Sequence, residues 1–455
     1  MEASIEQSTG EVIKTEVSNE VVTESNRNDE NSVETDDDLE RKHFQRIVNA
    51  FRSYKIGCSC DFLNENISMC TWTKSMECAM PSLCNSLMFF LSENRSMCTW
   101  IKSRELHSLK RLYNSTKYIS SLPQYQQDLL KNYRSHLDKV RVAIEHNYEI
   151  IKIIIKDVAH LFQNADHSND IKVMSSDVTP FDMEKVQSIF KQLYREWSME
   201  GKEERDASFK PILDEISERF PPDEIDCSSI RILVPGAGLG RLSYEIARKG
   251  YTCQGNEFSL FMLFTSNFVL NKCQGLDLYR IYPWVHQYYN NLKAYDQIQM
   301  VRFPDVDPCD LPSGIEFSMA AGSYIEIYKE PDCWDCIATC FFLDTANNVI
   351  DYIETTWNIL KPGGYWINLG PLLYHHADVP NENSIEPSYE EIREIIVKFG
   401  FTILKEELNV VTPYSQNPRS MMCYEYKSVF FVCRKPEEVG DLNHYCSRSV
   451  AIKNE

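Results

Sequence analysis

The chain has no apolar run of the roughly 18 residues that a membrane-spanning helix needs. Its most apolar stretch, FSLFMLFTSNFVL at 258–270, is interrupted by Ser, Thr and Asn. No basic-then-apolar leader opens it, and the first residues are acid-rich where organelle transit peptides are acid-poor. A G-x-x-x-x-G-K-[ST] phosphate loop is absent, which argues against an ATPase. Positive charge is scarce: 47 Lys and Arg stand against 67 Asp and Glu, a net charge of −20. A phosphate backbone, which needs clustered Lys and Arg, is therefore a poor partner. Residues 1–40 contain no aromatic side chain and carry 13 acidic residues against Lys14 and Arg27. Such a stretch cannot bury enough apolar area to offset chain entropy, so it reads as a disordered acidic tail. The expectation is a protein of the cytoplasm, the nucleus or both, with no membrane and no nucleic acid as partner. The 16 Cys agree with a reducing compartment.

What is present is enough for a large core. The 455 residues are 43% hydrophobic, and at about 150 residues per domain they predict two or three domains. Residues 41–220 read mainly as a helical N-terminal domain. Phe44, Ile47, Val48 and Phe51 recur at helical spacing, 137–162 is a long apolar-periodic segment, and a further helical stretch from Phe181 runs to Pro221-Pro222. Inside it, LNENISMCTWTKS (63–75) recurs as LSENRSMCTWIKS (91–103). Two copies are too few for a solenoid. The six cysteines between Cys58 and Cys98 include no C-x-x-C pair, so 57–103 is predicted to be an atypical insert rather than a zinc module.

From residue 229 the texture changes to short apolar strands alternating with helices. SIRILVPGAGLGR leads into LSYEIARKG and YTCQGNE, and the series closes with FTILKEELNVV and YKSVFFVCRK. This alternation predicts an α/β fold, a Rossmann-like doubly wound sheet with helices on both faces, over 221–435, and a loose tail over 436–455. Such sheets bind ligands at the carboxyl ends of their strands, where strand order reverses.

The chemistry concentrates in IRILVPGAGLGRL. Gly236, Gly238 and Gly240 let the backbone turn tightly and approach a ligand with no Cβ in the way. The helix that follows, from about Leu242, aims its first amides at that ligand. A dinucleotide fingerprint wants a small residue at the sixth position, where this chain has Arg241. Glu257 ends the next strand about 20 residues on and can accept both hydroxyls of a ribose. S-adenosylmethionine fits these features better than a nicotinamide cofactor, and a ligand-free turn is the third reading. KPGGYWINLGPLL, at 361–373, adds a helix ending at Lys361, a Pro-Gly-Gly turn and an aromatic-rich strand.

VPGAGLGRLSYEIARKGYTCQGNEFSLFMLFTSNFVLN, YPWVHQ, FPDVDP, CWDCIATCFFLDTANNVIDYIETTWNILKPGGYWINLGPLLYH and SMMCYEY together resemble the carnosine N-methyltransferase family. The likeness is close over 180–435 and looser over 41–56 and 104–162. It implies transfer of a methyl group from S-adenosylmethionine to the π nitrogen of the carnosine imidazole, giving anserine. Methylation of protein histidines is an alternative, and a catalytically silent methyltransferase-fold scaffold is another.

Residue by residue, the resemblance implies that Gln192 and Arg195 cap the cofactor and that Gly236 lies beneath it. It implies that Glu257 takes the ribose and that Ser323 and Tyr324 of AAGSY lie at the adenine. Ser323 stands where the family usually has Asp, which predicts weaker cofactor affinity. Cys340 is implied to contribute through its backbone or by packing. Asp344, His375, Tyr414, Tyr424 and Tyr426 match the substrate pocket, with Asp344 and His375 as the catalytic pair. Asp344 could otherwise be a helix N-cap, and the tyrosines could be sheet packing. Tyr424 and Tyr426, two apart, would share one face of a strand. No metal is expected: His375 and His376 have no third ligand nearby in sequence, and Cys333-x-x-Cys336 has no second pair. The partner implied is an imidazole dipeptide, with a homodimer left open.

Overall fold

The computed structural model describes residues 107–158, 180–379 and 382–437. The acidic tail, the repeat-bearing insert, the helix expected near Phe44 and the C-terminal tail lie outside the described residues. Three helices come first: α1 (His107–Ser121), α2 (Gln124–Leu129) and α3 (Lys131–Val158). The stretch expected as one helical run before Pro221 is two helices, α4 (Pro180–Trp197) and α5 (Lys202–Arg219). The break has a local cause. Ser198 Oγ donates to Tyr194 O and accepts from Gly201 N, folding the chain back on itself. A side chain at Gly201 would collide with the Tyr194 carbonyl.

The sheet begins with β1 (Arg231–Pro235), α6 (Arg241–Arg248), β2 (Thr252–Glu257) and α7 (Leu260–Lys272). A two-stranded antiparallel ribbon follows, β3 (Tyr279–Ile281) and β4 (Val301–Phe303), with the short α8 (Ala294–Gln297) between its strands. Next come β5 (Phe317–Ala321), α9 (Tyr324–Ile327), β6 (Trp334–Cys340), α10 (Val349–Ile359), β7 (Leu360–Gly370), α11 (Tyr389–Phe399), β8 (Thr402–Pro413) and β9 (Glu425–Arg434). The seven strands of the main sheet lie in the order β5-β2-β1-β6-β7-β9-β8. Only β9 runs against the rest. Pro362, Gly363 and Gly364 belong to β7 itself rather than to a turn before it: the helix stops at Ile359 and the strand starts at once.

Strand order reverses between β1 and β6, so the crevice for a ligand opens at the carboxyl ends of those two strands. One face of the sheet is covered by α5, whose Phe209, Ile212 and Ile216 pack with Ile232, Val234 and Ile367. The other carries α10 and α11, where Ile353, Trp357, Ile392 and Ile396 meet Leu233, Ile337 and Trp366. The helices α1, α3 and α4 join α7 and the β3–β4 ribbon in a third core around Trp197, Phe268 and Trp284. α4 runs from this third core to the mouth of the crevice.

Candidate active site

The glycine turn leaves β1 with Gly236, Gly238 and Gly240 at φ +65°, +57° and +83°. This is left-handed backbone that side-chain-bearing residues adopt only at a cost of about 1–2 kcal/mol each. The turn is also crowded from behind. A Cβ at Gly236 would stand 2.5 Å from the Phe342 ring, and one at Gly238 would stand 2.8 Å from Glu196 Oε1. In front, Glu257 Oε2 accepts the Gly238 N–H at 2.9 Å and Oε1 accepts the Ser259 N–H at 2.7 Å. Burial raises the Glu257 carboxyl above its ordinary range, and these backbone bonds pull it down.

Glu196 holds the turn from beneath. Its Oε2 accepts the N–H groups of Leu239 at 3.1 Å and Arg241 at 3.3 Å. Trp197 Nε1 donates to Leu239 O. Burial pushes the Glu196 carboxyl up to about 7, against the pull of Arg195 and the two amides. Arg241 starts α6 and is buried. Its guanidinium reaches Asp305 Oδ1 at 2.5 Å, Glu245 at 2.8 Å and the Glu196 carbonyl at 2.8 Å. Arg205 of α5 binds the same Asp305 at 2.7 Å and donates to the carbonyls of Arg195, Glu196 and Ser198. This cluster ties α4, α5, the glycine turn and the segment after β4 into one unit.

Beside the turn lies Arg195, 4% exposed. Its Nε and Nη2 are both buried with no hydrogen-bond partner. Nε is 3.3 Å from Glu204 Oε1. The guanidinium sits 4.8 Å from the Tyr414 ring centroid, 5.0 Å from Phe209 and 5.6 Å from Phe341. Gln192, one helical turn before Arg195, donates from Nε2 to Tyr414 Oη at 2.8 Å. Cys340 ends β6 beside Arg195, and burial pushes its thiol up to about 11. A buried guanidinium edge with nothing to bind is costly to leave unmade. It suits a planar carboxylate, which takes a two-pronged bond from Arg.

Asp344 lies in the short 3-10 turn Leu343–Thr345 that follows β6. It does not cap α10. Asn348 does, accepting the Ile350 N–H. Asp344 Oδ2 accepts the Leu373 N–H at 2.9 Å, while Oδ1 is buried and has no partner. Burial raises its carboxyl, and the Leu373 amide and His375 lower it. The Asp344 carbonyl accepts the His375 N–H at 2.9 Å. Burial lowers the His375 imidazole below its ordinary value, with Asp344 pulling the other way. Burial raises the Tyr426 hydroxyl above its ordinary value, and the Asp344 charge adds to it.

The structure gathers most of the predicted site residues into three adjoining groups. Gly236, Gly238, Gly240 and Glu257 form the turn. Gln192, Arg195, Cys340 and Tyr414 form the second group, and Asp344, His375 and Tyr426 the third. Phe341 joins the last two, its ring 4.8 Å from Tyr414 and 6.0 Å from Tyr426. Ser323 caps α9 without a side-chain bond, and the neighbouring Gly322 N–H donates to the Glu257 carbonyl. Tyr324 is buried, its hydroxyl on Thr356 and its ring edge-on to Phe342. Tyr424 stands apart. It precedes β9 rather than alternating within it, and it is 54% exposed.

Glu196, Glu204, Phe341 and Asp305 were not legible as site residues. Glu196 follows directly on Arg195, and Phe341 lies within CFFLDT. Each was in view, but its partners are distant in sequence. Among the described residues, no group of three or more His, Cys, Asp or Glu is placed to hold a metal, and no helix is long and apolar enough to cross a membrane.

A parallel sheet with one reversed strand, a glycine turn after β1 and an acidic residue ending β2 make a Rossmann-like sheet of the class I methyltransferase type, and the family match below makes it an S-adenosylmethionine-dependent methyltransferase. The methyl donor is S-adenosylmethionine. Residues 172–437 match the carnosine N-methyltransferase family. The chain is 46% identical over 406 residues to the carnosine N-methyltransferase of Mus musculus, covering 89% of each chain. It is 47% identical over 350 residues to carnosine N-methyltransferase unmet of Drosophila melanogaster, covering 73% of this chain and 77% of that one. The Schizosaccharomyces pombe carnosine N-methyltransferase is 39% identical over 321 residues, covering 68% and 85%. The chain belongs to the carnosine N-methyltransferase family, and it is an enzyme.

Proposed function

We propose that the protein transfers a methyl group from S-adenosylmethionine to the π nitrogen of the carnosine imidazole, giving anserine. The observation that carries this reading is the state of Asp344. One carboxylate oxygen is bound by the Leu373 amide and the other is buried with no partner. A buried acceptor of this kind calls for a donor from a ligand.

A neutral imidazole has one N–H and one lone-pair nitrogen. If Asp344 Oδ1 accepts the τ N–H, the lone pair must sit on π. The same carboxylate then stabilises the imidazolium as it forms. Burial already makes the unpaired Asp344 charge costly, and an N–H donor relieves that cost. His375, whose imidazole burial biases toward the neutral form, is suited to orient the dipeptide or to take the released proton.

The residues around the turn fit the cofactor. Arg195 Nη2 would hold its carboxylate, Glu257 its ribose hydroxyls, and the glycine turn its backbone-close side. When bound, S-adenosylmethionine supplies a sulfonium methyl group already activated for displacement. The protein therefore needs no strong base. Its task is to place the acceptor nitrogen in line and to exclude water, and positioning of this kind contributes up to roughly 7–11 kcal/mol. Tyr414, Phe341 and Tyr426 offer aromatic faces to cationic groups, at about 0.5–2 kcal/mol each.

The test is transfer of a labelled methyl group onto carnosine, onto other imidazole dipeptides and onto a protein extract, with the carnosine product resolved into its π and τ isomers. Anserine as the main product supports the reading. The τ isomer, or label confined to protein histidines, refutes it.

A further inference from the structure

Glu204 lies on α5, outside every position that sequence reasoning singled out. It is 6% exposed. Its Oε1 accepts the Ser415 N–H at 2.6 Å, the Gln416 amide faces the same carboxylate, and Arg195 Nε stands 3.3 Å from that oxygen. Ser415 follows Tyr414 and has φ +49°, left-handed backbone that a serine does not prefer. Tyr414 lies over the Arg195 guanidinium and receives the Gln192 amide bond. A closed circuit results: Glu204 to Ser415, Tyr414 to Arg195, and Arg195 back to Glu204. Its members come from α4, from α5 and from the segment that leaves β8.

Arg195 meets this circuit through an ion pair, Nε to Glu204 Oε1 at 3.3 Å, while neither Nε nor Nη2 makes a hydrogen bond. A carboxylate bound at Nη2 takes away the remaining freedom of the guanidinium. The same guanidinium is the platform for Tyr414. Its Glu204 partner shares one oxygen with the backbone amide that follows Tyr414. Whatever fixes Arg195 therefore bears on the strand-end segment, through the Arg195–Glu204 ion pair and the charge-assisted bond that Glu204 accepts from the Ser415 amide.

We propose that Glu204 is a positioning residue that couples the two halves of the site, so that engagement of Arg195 by the cofactor's carboxylate sets Tyr414 for the dipeptide. This rests on the reading of Arg195 as cofactor-facing and Tyr414 as substrate-facing. Coupling between two sites is reciprocal, so the dipeptide tightens the cofactor by the same factor.

The experiment follows amide hydrogen exchange of the full chain with and without saturating S-adenosylhomocysteine, which carries the same carboxylate and needs no acceptor. In the wild type the Ser415 and Gln416 amides gain about tenfold protection on addition of that ligand, within the usual range of coupling energies. In Glu204→Gln the gain falls below about threefold, because the charge that links Arg195 to the segment is gone. Glu204→Asp keeps the charge near Arg195 but withdraws it from the Ser415 amide. It retains ligand affinity within about threefold and loses the protection, which covers the case of a Gln variant that does not fold. The Gln variant also raises KM for carnosine more than it lowers kcat. Protection that persists in either folded variant, or that the wild type never shows, overturns the proposal. A wild type that shows the protection but leaves carnosine unmethylated refutes the substrate assignment and leaves the coupling standing.

Discussion

Glu196 lies directly behind Gly238, so close that a methyl group at 238 would stand 2.8 Å from the carboxylate, and it binds the next two free amides of the turn, those of Leu239 and Arg241. A helix that precedes the sheet in sequence thus supplies the floor of the cofactor turn. The same helix presents Arg195 to the site one residue earlier. The glycine turn and the carboxylate anchor are therefore set by a single rigid element.

That arrangement makes stability depend on pH through Glu196. Its carboxyl ordinarily titrates near 4.5 and in the fold near about 7. Between these values the folded state binds more protons than the unfolded one, so this group's contribution falls as pH rises from about 4.5 to about 7. Relative to Glu196→Gln, which has no titration, the wild type should lose on the order of 3 kcal/mol between pH 5 and pH 8. Urea unfolding of both proteins across that range measures it. Parallel stability curves would show that Glu196 does not titrate there.

Asp344→Ala is expected to abolish methyl transfer to carnosine, and Asp344→Asn to lower kcat by at least about a hundredfold. Binding of S-adenosylmethionine should stay within about threefold, since Asp344 is not part of the cofactor's cradle. Labelled transfer and calorimetric titration separate the two effects. An alanine variant with near-normal turnover would remove Asp344 from the mechanism.

Arg195→Lys keeps the charge and loses the fork. Cofactor affinity should weaken about ten- to a hundredfold, because a point charge cannot make the two-pronged bond. Calorimetry with S-adenosylhomocysteine reads this directly. An unchanged affinity would mean that the unpartnered Nη2 serves some other group.

Asp305 is held by two buried guanidinium groups, Arg205 and Arg241. Asp305→Ala leaves both without their shared counter-charge and should cost about 3–5 kcal/mol. Because both arginines also grip α4 carbonyls, cofactor affinity should fall with stability. Loss of under about 1 kcal/mol in thermal or urea unfolding would contradict this account.

Gly236→Ala combines left-handed backbone with a Cβ 2.5 Å from the buried Phe342 ring. It should destabilise by about 2–3 kcal/mol and weaken the cofactor at least about tenfold. Thermal unfolding and titration on one preparation check both. A stable variant with normal affinity would show that the turn tolerates a side chain.

Legibility followed the range of the interactions. β1, α6 and β2 were readable because β-branched runs, glycine spacing and helical periodicity are local signals, and Glu257 was placed by its count along the chain. The break at Ser198–Gly201 was not, because it depends on a hydroxyl folded back onto the Tyr194 carbonyl within an otherwise helical pattern. The exposure of Tyr424 was missed because a two-residue alternation was assumed to lie inside a strand that begins one residue later. Glu204 and Glu196 carry no local signal that sets them apart in the sequence. Their partners, Ser415 and Leu239, come from distant parts of the chain.

By itself the sequence determined that strands and helices alternate from β1 onward, where the backbone can turn without a side chain, and which polar groups are available to a ligand, since these follow from residue type and short-range spacing. Only the tertiary structure decided that a carboxylate of α4 closes the underside of the glycine turn, that Arg195 keeps one guanidinium edge open and that Asp344 keeps one oxygen free. Burial sets those properties, and burial is the joint result of chain segments that no short stretch of sequence contains together.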